Sequence, residues 1–196
     1  MALTLIPARL RRKFEIAETH HAAAILHEDF PNEWRDVLGL LGDFRLLGSQ
    51  IIQPGGRKSP ISNSINGFFY GRGWQEHTFH IEVKADGAAT LAPTHHVDYF
   101  RNRVAIETEW NNKDPFYDRD LATFRLLFDL NVLSVGIIIT RASELQDIFD
   151  RLGRGQSFGP STTHMGKLTP KLDNRASGGC PVLAFAIKKT AYDPKR

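Results

Sequence analysis

The stretch HVDYFRNRVAIETEW, residues 96–110, decides how this chain folds. In an extended backbone successive side chains point to opposite faces. Val104, Ile106, Thr108 and Trp110 therefore share one face of a strand, and Ala105, Glu107 and Glu109 share the other. The pattern predicts a half-buried strand, entered from a short extended piece, HVDYF. Strand interiors disfavour glutamate. Two on one face stand about 7 Å apart at Cα, and each raises the other's pKa unless something positive compensates. A divalent cation such as Mg²⁺, which takes hard oxygen ligands, is an efficient compensator. Asp98 precedes Glu107 by nine residues, and a hairpin-like path brings its carboxylate to the same point. Glu82 is a fourth acidic candidate and His80 a possible accessory group on the preceding strand. Spacing alone leaves a plainer alternative open, in which Glu107 and Glu109 line the solvent face of an edge strand.

Outward from this centre the periodicity alternates. Residues 116–130 form an expected helix, with Tyr117, Leu121, Phe124 and Phe128 along one face. VLSVGIIIT (132–140) reads as a buried strand, 142–152 as a short helix, and PVLAFAI (181–187) as a closing strand. Towards the N-terminus, KFEIAETHHAAAILH (13–27) is alanine-rich and predicts a helix. A second helix is expected where Trp34, Val37, Leu38, Leu41 and Phe44 recur at helical spacing. QPGGRKSPISNSING (53–67) reads as a basic loop, and residues 74–83 as a strand. Alternating strands and helices from residue 97 onward predict an α/β domain, a mixed central β-sheet flanked by helices. One domain over residues 1–196 is expected from the length.

Composition narrows the setting. A single cysteine, Cys180, excludes a disulfide framework and reads as a buried structural thiol. No run approaches a membrane span, and MALTLIPARLRRKF lacks the apolar core of a signal peptide. A cytoplasmic location is the expectation. The histidines with Cys180 match no zinc spacing, and LGRGQSFGPS (152–161) is not a dinucleotide or phosphate loop. A formal charge of +3 permits a nucleic-acid partner.

Residues 96–110, followed by a helix and then VLSVGIIIT, resemble the BglII and BstYI type of restriction endonuclease within the wider PD-(D/E)xK nuclease fold. That type uses an Asp, eight intervening residues, then Glu-x-Gln. Asp98 matches the aspartate and Glu107 the glutamate, while Glu109 stands where these enzymes carry glutamine. The wider fold usually has lysine there, and BamHI-like members have glutamate. Residues 13–41 resemble the N-terminal helical region of the group, GRGWQEHTFHIE (71–82) the strand before the site, and GGCPVLAFAI (178–187) the closing strand.

The resemblance implies a restriction-endonuclease-like fold and a Mg²⁺-dependent type II endonuclease. Such an enzyme hydrolyses phosphodiester bonds in a short palindromic double-stranded DNA site, leaving a 5′-phosphate and a 3′-hydroxyl. Asp98 and Glu107, with the backbone carbonyl of Thr108, would hold Mg²⁺, and Glu109 would orient or deprotonate the attacking water. The implied partners are duplex DNA, a second copy of the chain docked through the N-terminal helices, and a cognate DNA methyltransferase acting on the same site. Two other functions stay open: a structure-dependent or nicking nuclease of the same fold, and a catalytically inactive DNA-binding protein. Groups suited to phosphates or base edges are Arg57 and Lys58 in the loop and Arg101 and Arg103 beside the strand. STTHMGKLTPKLDNR (161–175) adds Ser161, Thr162, Thr163, His164, Lys167, Lys171, Asn174 and Arg175 as a recognition segment.

Overall fold

The computed structural model describes residues 2–53, 59–91 and 95–194. In chain order the elements are α1 (Ala8–Lys13), β1 (Phe14–Glu18), α2 (Ala22–Asp29), α3 (Pro31–Asp43), β2 (Leu46–Leu47), α4 (Gly48–Ile52) and α5 (Pro60–Tyr70). There follow β3 (Gln75–Phe79), β4 (Glu82–Ala85), β5 (Ala88–Leu91), β6 (His95–Arg101), β7 (Val104–Glu109), α6 (Pro115–Asp129) and β8 (Val135–Arg141). The last are α7 (Gln146–Arg151), α8 (Met165–Asp173), β9 (Val182–Ile187) and β10 (Tyr192–Asp193). Among these residues no helix is long and apolar enough to cross a membrane.

Among the described residues the main sheet runs β1-β9-β8-β7-β6-β3. Its central strands β7, β8 and β9 are parallel, and β6, β3 and β1 are added antiparallel. This is the expected mixed sheet. The alternation along β7 holds, but the strand is not half-buried. Val104 and Ile106 face a core shared with α1 to α5, and Ala105 faces a second core shared with α6 and α8. Helices on both faces bury a parallel strand from both sides. The edge-strand alternative therefore falls, because β7 lies between β6 and β8, and Glu107 and Glu109 are each 1% exposed.

Other expectations need correction. Residues 13–27 are not one helix. Phe14 and Ile16 alternate on β1, which pairs with β9 from Phe14↔Ile187 to Glu18↔Leu183. His20 and His21 then adopt left-handed backbone (φ 50° and 57°), which separates β1 from α2. The sheet edge overrides the helical propensity of the alanines. The expected loop at 53–67 holds the start of α5, because Ser59 caps it, Pro60 is tolerated in its first turn, and Ile61, Ile65 and Phe69 bury one stripe. Residues 74–83 divide between β3 in the main sheet and β4, which pairs with β5 in a separate ribbon. The presumed recognition loop at 161–175 contains α8, whose buried Met165, Leu168 and Leu172 are helically spaced.

Helix α6 lies close on β8, with Gly136 beneath Phe124. A Cβ at Gly136 would overlap that ring. Gly136→Ala is therefore expected to destabilise the protein by about 1–3 kcal/mol through overpacking. Urea unfolding of the two proteins measures it, and equal midpoints would mean that the ring moves freely.

Candidate active site

The β6–β7 hairpin pairs Tyr99 with Ile106, and one step further along that register sets Asp98 opposite Glu107. Each strand then clasps the other. The Thr108 N–H donates to Asp98 Oδ2 (3.0 Å), and the Asp98 N–H donates to Glu107 Oε2 (3.4 Å). Asp98 and Glu107 are brought together as the spacing predicted. Glu109 lies two residues on, where its Oε2 accepts from Asn112 Nδ2 at 2.8 Å.

The sequence reading missed Asp120 and Arg119. Tyr117, Asp120, Leu121, Thr123, Phe124 and Leu127 form the buried stripe of α6, so Asp120 packs over β7 on the side of Glu107 and Glu109. The signal was available: Asp120 sits three residues after Tyr117 and one before Leu121, inside the apolar face. A charge there needs a partner. Arg119 supplies it, donating from Nε (2.9 Å) and Nη2 (2.7 Å) to Asp120 Oδ1, with Nη2 3.7 Å from Glu109 Oε1.

Burial dominates the electrostatics. It pushes Glu107 well above the usual carboxylate range, and the charges of Asp120 and Asp98 push the same way. Burial and then Asp120 take Glu109 up to about 9. Asp98 is raised by burial, against the opposing bond from Thr108. Asp120 is raised by burial, against the neighbouring Arg119. Glu107 Oε1 is buried with no hydrogen-bond partner among the described residues. Four carboxyl groups thus share a dry corner with one guanidinium, and the arrangement favours a further cation. Among the described residues, however, no group of three or more His, Cys, Asp or Glu side chains stands ready as a metal cage.

An open polar cleft of about 230 Å³ adjoins Asp98 and Thr108. Ser62, Asn66 and Tyr70 of α5 line it with Glu76 of β3. The Tyr99 hydroxyl donates to Asn66, and Glu76 meets His96 Nε2 at 2.7 Å. The helix that the sequence reading took as loop therefore forms a wall of the site.

The predicted recognition segment divides in two. Its first residues buttress the end of β7: the Thr163 N–H donates to the Asn112 carbonyl (2.8 Å) and Thr163 Oγ1 to the Glu109 carbonyl (3.3 Å). Thr140 Oγ1 donates to the same carbonyl at 2.7 Å. Thr162 Oγ1 donates to the Gly159 carbonyl and accepts from Arg141, a buried guanidinium held by loop carbonyls and lowered to about 10 by burial. Thr162 and Thr163 are therefore committed inward. Ser161 is exposed, and His164 pairs with Ser143 Oγ (2.9 Å). Lys167 stands in the first turn of α8, half-buried, while Lys171 bonds Asp118 (2.7 Å). Asn174 and Arg175 are exposed beyond the far end of α8, roughly 15 Å from its start.

Several other residues do not come to the cluster. Glu82 belongs to the β4–β5 ribbon and faces Lys84 (3.9 Å), and His80 is exposed in the link before it. Arg101 is tied to Glu33 (3.2 Å) and Asp36 (3.0 Å), so its charge is spent within the protein. Arg103 bonds Ser134 in the β6–β7 turn, about 20 Å along the strand from Glu109. Arg57 and Lys58 lie outside the described residues.

Comparison with known families agrees with this layout. A family model described as restriction endonuclease BglII/BglIII matches residues 14–187, from the first residue of β1 to the last of β9. No curated protein matches the chain. With the match covering nearly all of the sheet and both carboxylate-bearing strands, this chain belongs to the BglII/BglIII restriction endonuclease family.

Proposed function

We propose that the chain is a Mg²⁺-dependent, site-specific DNA endonuclease, acting as one domain over its length and as a homodimer on a short palindromic duplex. The observation that carries this is the Asp98–Glu107–Glu109 corner, three carboxyls raised by burial with one Glu107 oxygen unsatisfied, in a restriction endonuclease family. The donor set suits a hard cation, since every side-chain atom offered is oxygen. Asp98, Glu107 and the Thr108 carbonyl would hold Mg²⁺, which when bound supplies Lewis acidity at a phosphoryl oxygen and at the departing 3′-oxygen. Asp98 is pre-positioned by the Thr108 N–H and Glu107 by the Asp98 N–H. Glu109, anchored by Asn112, would take a proton from the attacking water, which the open cleft beside Asp98 and Thr108 admits. A two-fold enzyme brings one such site to each strand of a palindrome. A methyltransferase protecting the same sequence would be its functional partner.

Digestion of a long double-stranded viral genome of known sequence, followed by mapping of fragment ends, tests this reading. Discrete fragments with 5′-phosphates in Mg²⁺ or Mn²⁺, and none in EDTA, are expected. Cutting in EDTA, or an intact genome at every metal concentration, overturns it. Cuts confined to one strand or to branched substrates favour the nicking or structure-dependent reading. Tight binding with no cutting favours the inactive DNA-binding reading.

Glu109→Gln separates two roles for its carboxyl. If the charge takes the proton, the single-turnover rate should fall at least about tenfold, roughly 1.4 kcal/mol of barrier, and its rise with pH should flatten. Overlapping rate profiles from pH 6 to 9 would leave Glu109 as a mere water-orienting group.

A further inference from the structure

We propose that Arg119 is the phosphate-binding group of this site and that Asp120 is the positioning residue that aims it. The inference rests on the nuclease reading above and assigns a substrate contact outside the β6–β7 motif.

Arg119 differs from the other cations described above. Arg101, Arg103, Lys171 and Arg141 are occupied by partners within the protein. Among the described residues, Arg119 is the only arginine or lysine within ion-pair range of Asp98, Glu107, Glu109 or Asp120. Its side chain is 54% exposed although its anchor, the Asp120 side chain, is fully buried. Two of its three nitrogens, Nε and Nη2, are held by a single carboxylate oxygen, and the guanidinium carbon lies 4.5 Å from the Phe116 ring centroid. Nη1 makes no hydrogen bond to any described residue. A plane held along one edge and lying over a ring is constrained, yet it keeps Nη1 unbonded within the described protein on a side chain open to solvent.

The need for such a group follows from charge. A phosphodiester entering a corner whose carboxyl groups ionise once a cation binds is repelled unless a fixed positive charge sits beside its path. The charge of Arg119 is secure there. Burial works against it, but Asp120, then Glu107 and Glu109, outweigh burial and hold its pKa above the ordinary value. A guanidinium fork matches two phosphate oxygens at once, and a pre-aimed donor stabilises developing charge without reorganising. The Asp120 side chain is fully buried and also lies against Glu107 and Glu109, so it can bear on a phosphate only by aiming Arg119.

The test uses DNA that the wild type cuts, and two readouts. Arg119→Ala should slow single-turnover cleavage in Mg²⁺ roughly 100-fold. Without cleavage, in Ca²⁺, the slope of log affinity against log salt should become shallower by about 0.9, the loss of one phosphate contact. Millimolar guanidinium should restore part of the Arg119→Ala rate, which no general loss of structure would allow. Asp120→Asn should slow cleavage as well, and the double variant should be no slower than Arg119→Ala alone, since both act at one point. A rate within threefold of wild type for Arg119→Ala overturns the proposal. So does a slow variant with an unchanged salt slope and no response to guanidinium, which would make Arg119 structural. If the wild type itself neither binds nor cuts duplex DNA, the nuclease reading fails first and takes this proposal with it. That outcome is distinct from a working enzyme indifferent to Arg119.

Discussion

Glu107→Gln is expected to reduce DNA cleavage at least about a thousandfold, roughly 4 kcal/mol of barrier, while folding and duplex binding persist. The substitution keeps size and shape, and the amide oxygen can still accept the Asp98 N–H that now reaches Glu107 Oε2. What disappears is the second, unsatisfied oxygen as an anionic ligand. In the metal-free protein that loss is harmless, because burial and the charges of Asp120 and Asp98 already oppose ionisation of Glu107. In the reaction the same loss leaves Asp98 as the one side-chain carboxylate proposed to hold the cation. Duplex affinity in the absence of metal should match that of the wild type, because a neutral amide replaces a carboxyl whose ionisation is already opposed there. Asp98→Ala should behave alike in cleavage, at some cost in stability through its lost bond from Thr108. Single-turnover rates, gel-shift affinities and circular dichroism of the three proteins settle the matter. Turnover by Glu107→Gln within tenfold of wild type would move the chemistry away from the hairpin.

The second large effect is on stability. Metal-free protein should lose stability as pH rises from 6.5 to 8.5, against the usual trend for carboxylates. Glu109 is raised to about 9 in the folded protein and has an ordinary value of 4.5. Between those values the folded state carries a proton that the unfolded chain has released. Folding stability is therefore full below the ordinary value and drains away as pH climbs through the raised one. One such proton costs about 1.4 kcal/mol per pH unit, and Glu107 adds to the same trend. Over the two units a fall of at least about 5 °C in Tm is expected. His164 works in the opposite sense, since burial, Arg141 and Lys167 lower it from 6.5, and the chosen window begins at that value, where its effect is fading. Mg²⁺ should raise Tm most at the alkaline end, because the ion favours the ionised carboxylates. Glu109→Gln should flatten the metal-free profile. Scanning calorimetry with and without Mg²⁺ reads all three. A Tm that rises with pH in EDTA would show that the carboxyl groups are ionised and satisfied without metal.

Local pattern was enough to read the strand RVAIETEW, the hairpin that sets Asp98 against Glu107, a helix over residues 116–130 and strands in VLSVGIIIT and PVLAFAI. Each is local information: period-two alternation, a short turn or an unbroken β-branched run. The family was legible in the resemblance of residues 96–110 together with their flanks, whereas the carboxylate spacing alone left an edge strand open. Tertiary structure decided the rest. FEIAE became β1 because β9 offered it a free edge, a partner more than 160 residues away in the chain that no local propensity registers. Glu107 and Glu109 became buried rather than solvated because β7 acquired neighbours on both sides and helices on both faces. Their raised pKa values follow from that burial, not from their spacing. Asp120 and Arg119 joined the site because α6 folds back over β7, and Arg101 left the list of phosphate contacts because α3 supplied Glu33 and Asp36. Alternation along a strand tells which side chains share a face. What covers that face, and so whether a carboxylate meets water, a guanidinium or another carboxylate, depends on packing between distant segments, and this packing fixes the chemistry of the site.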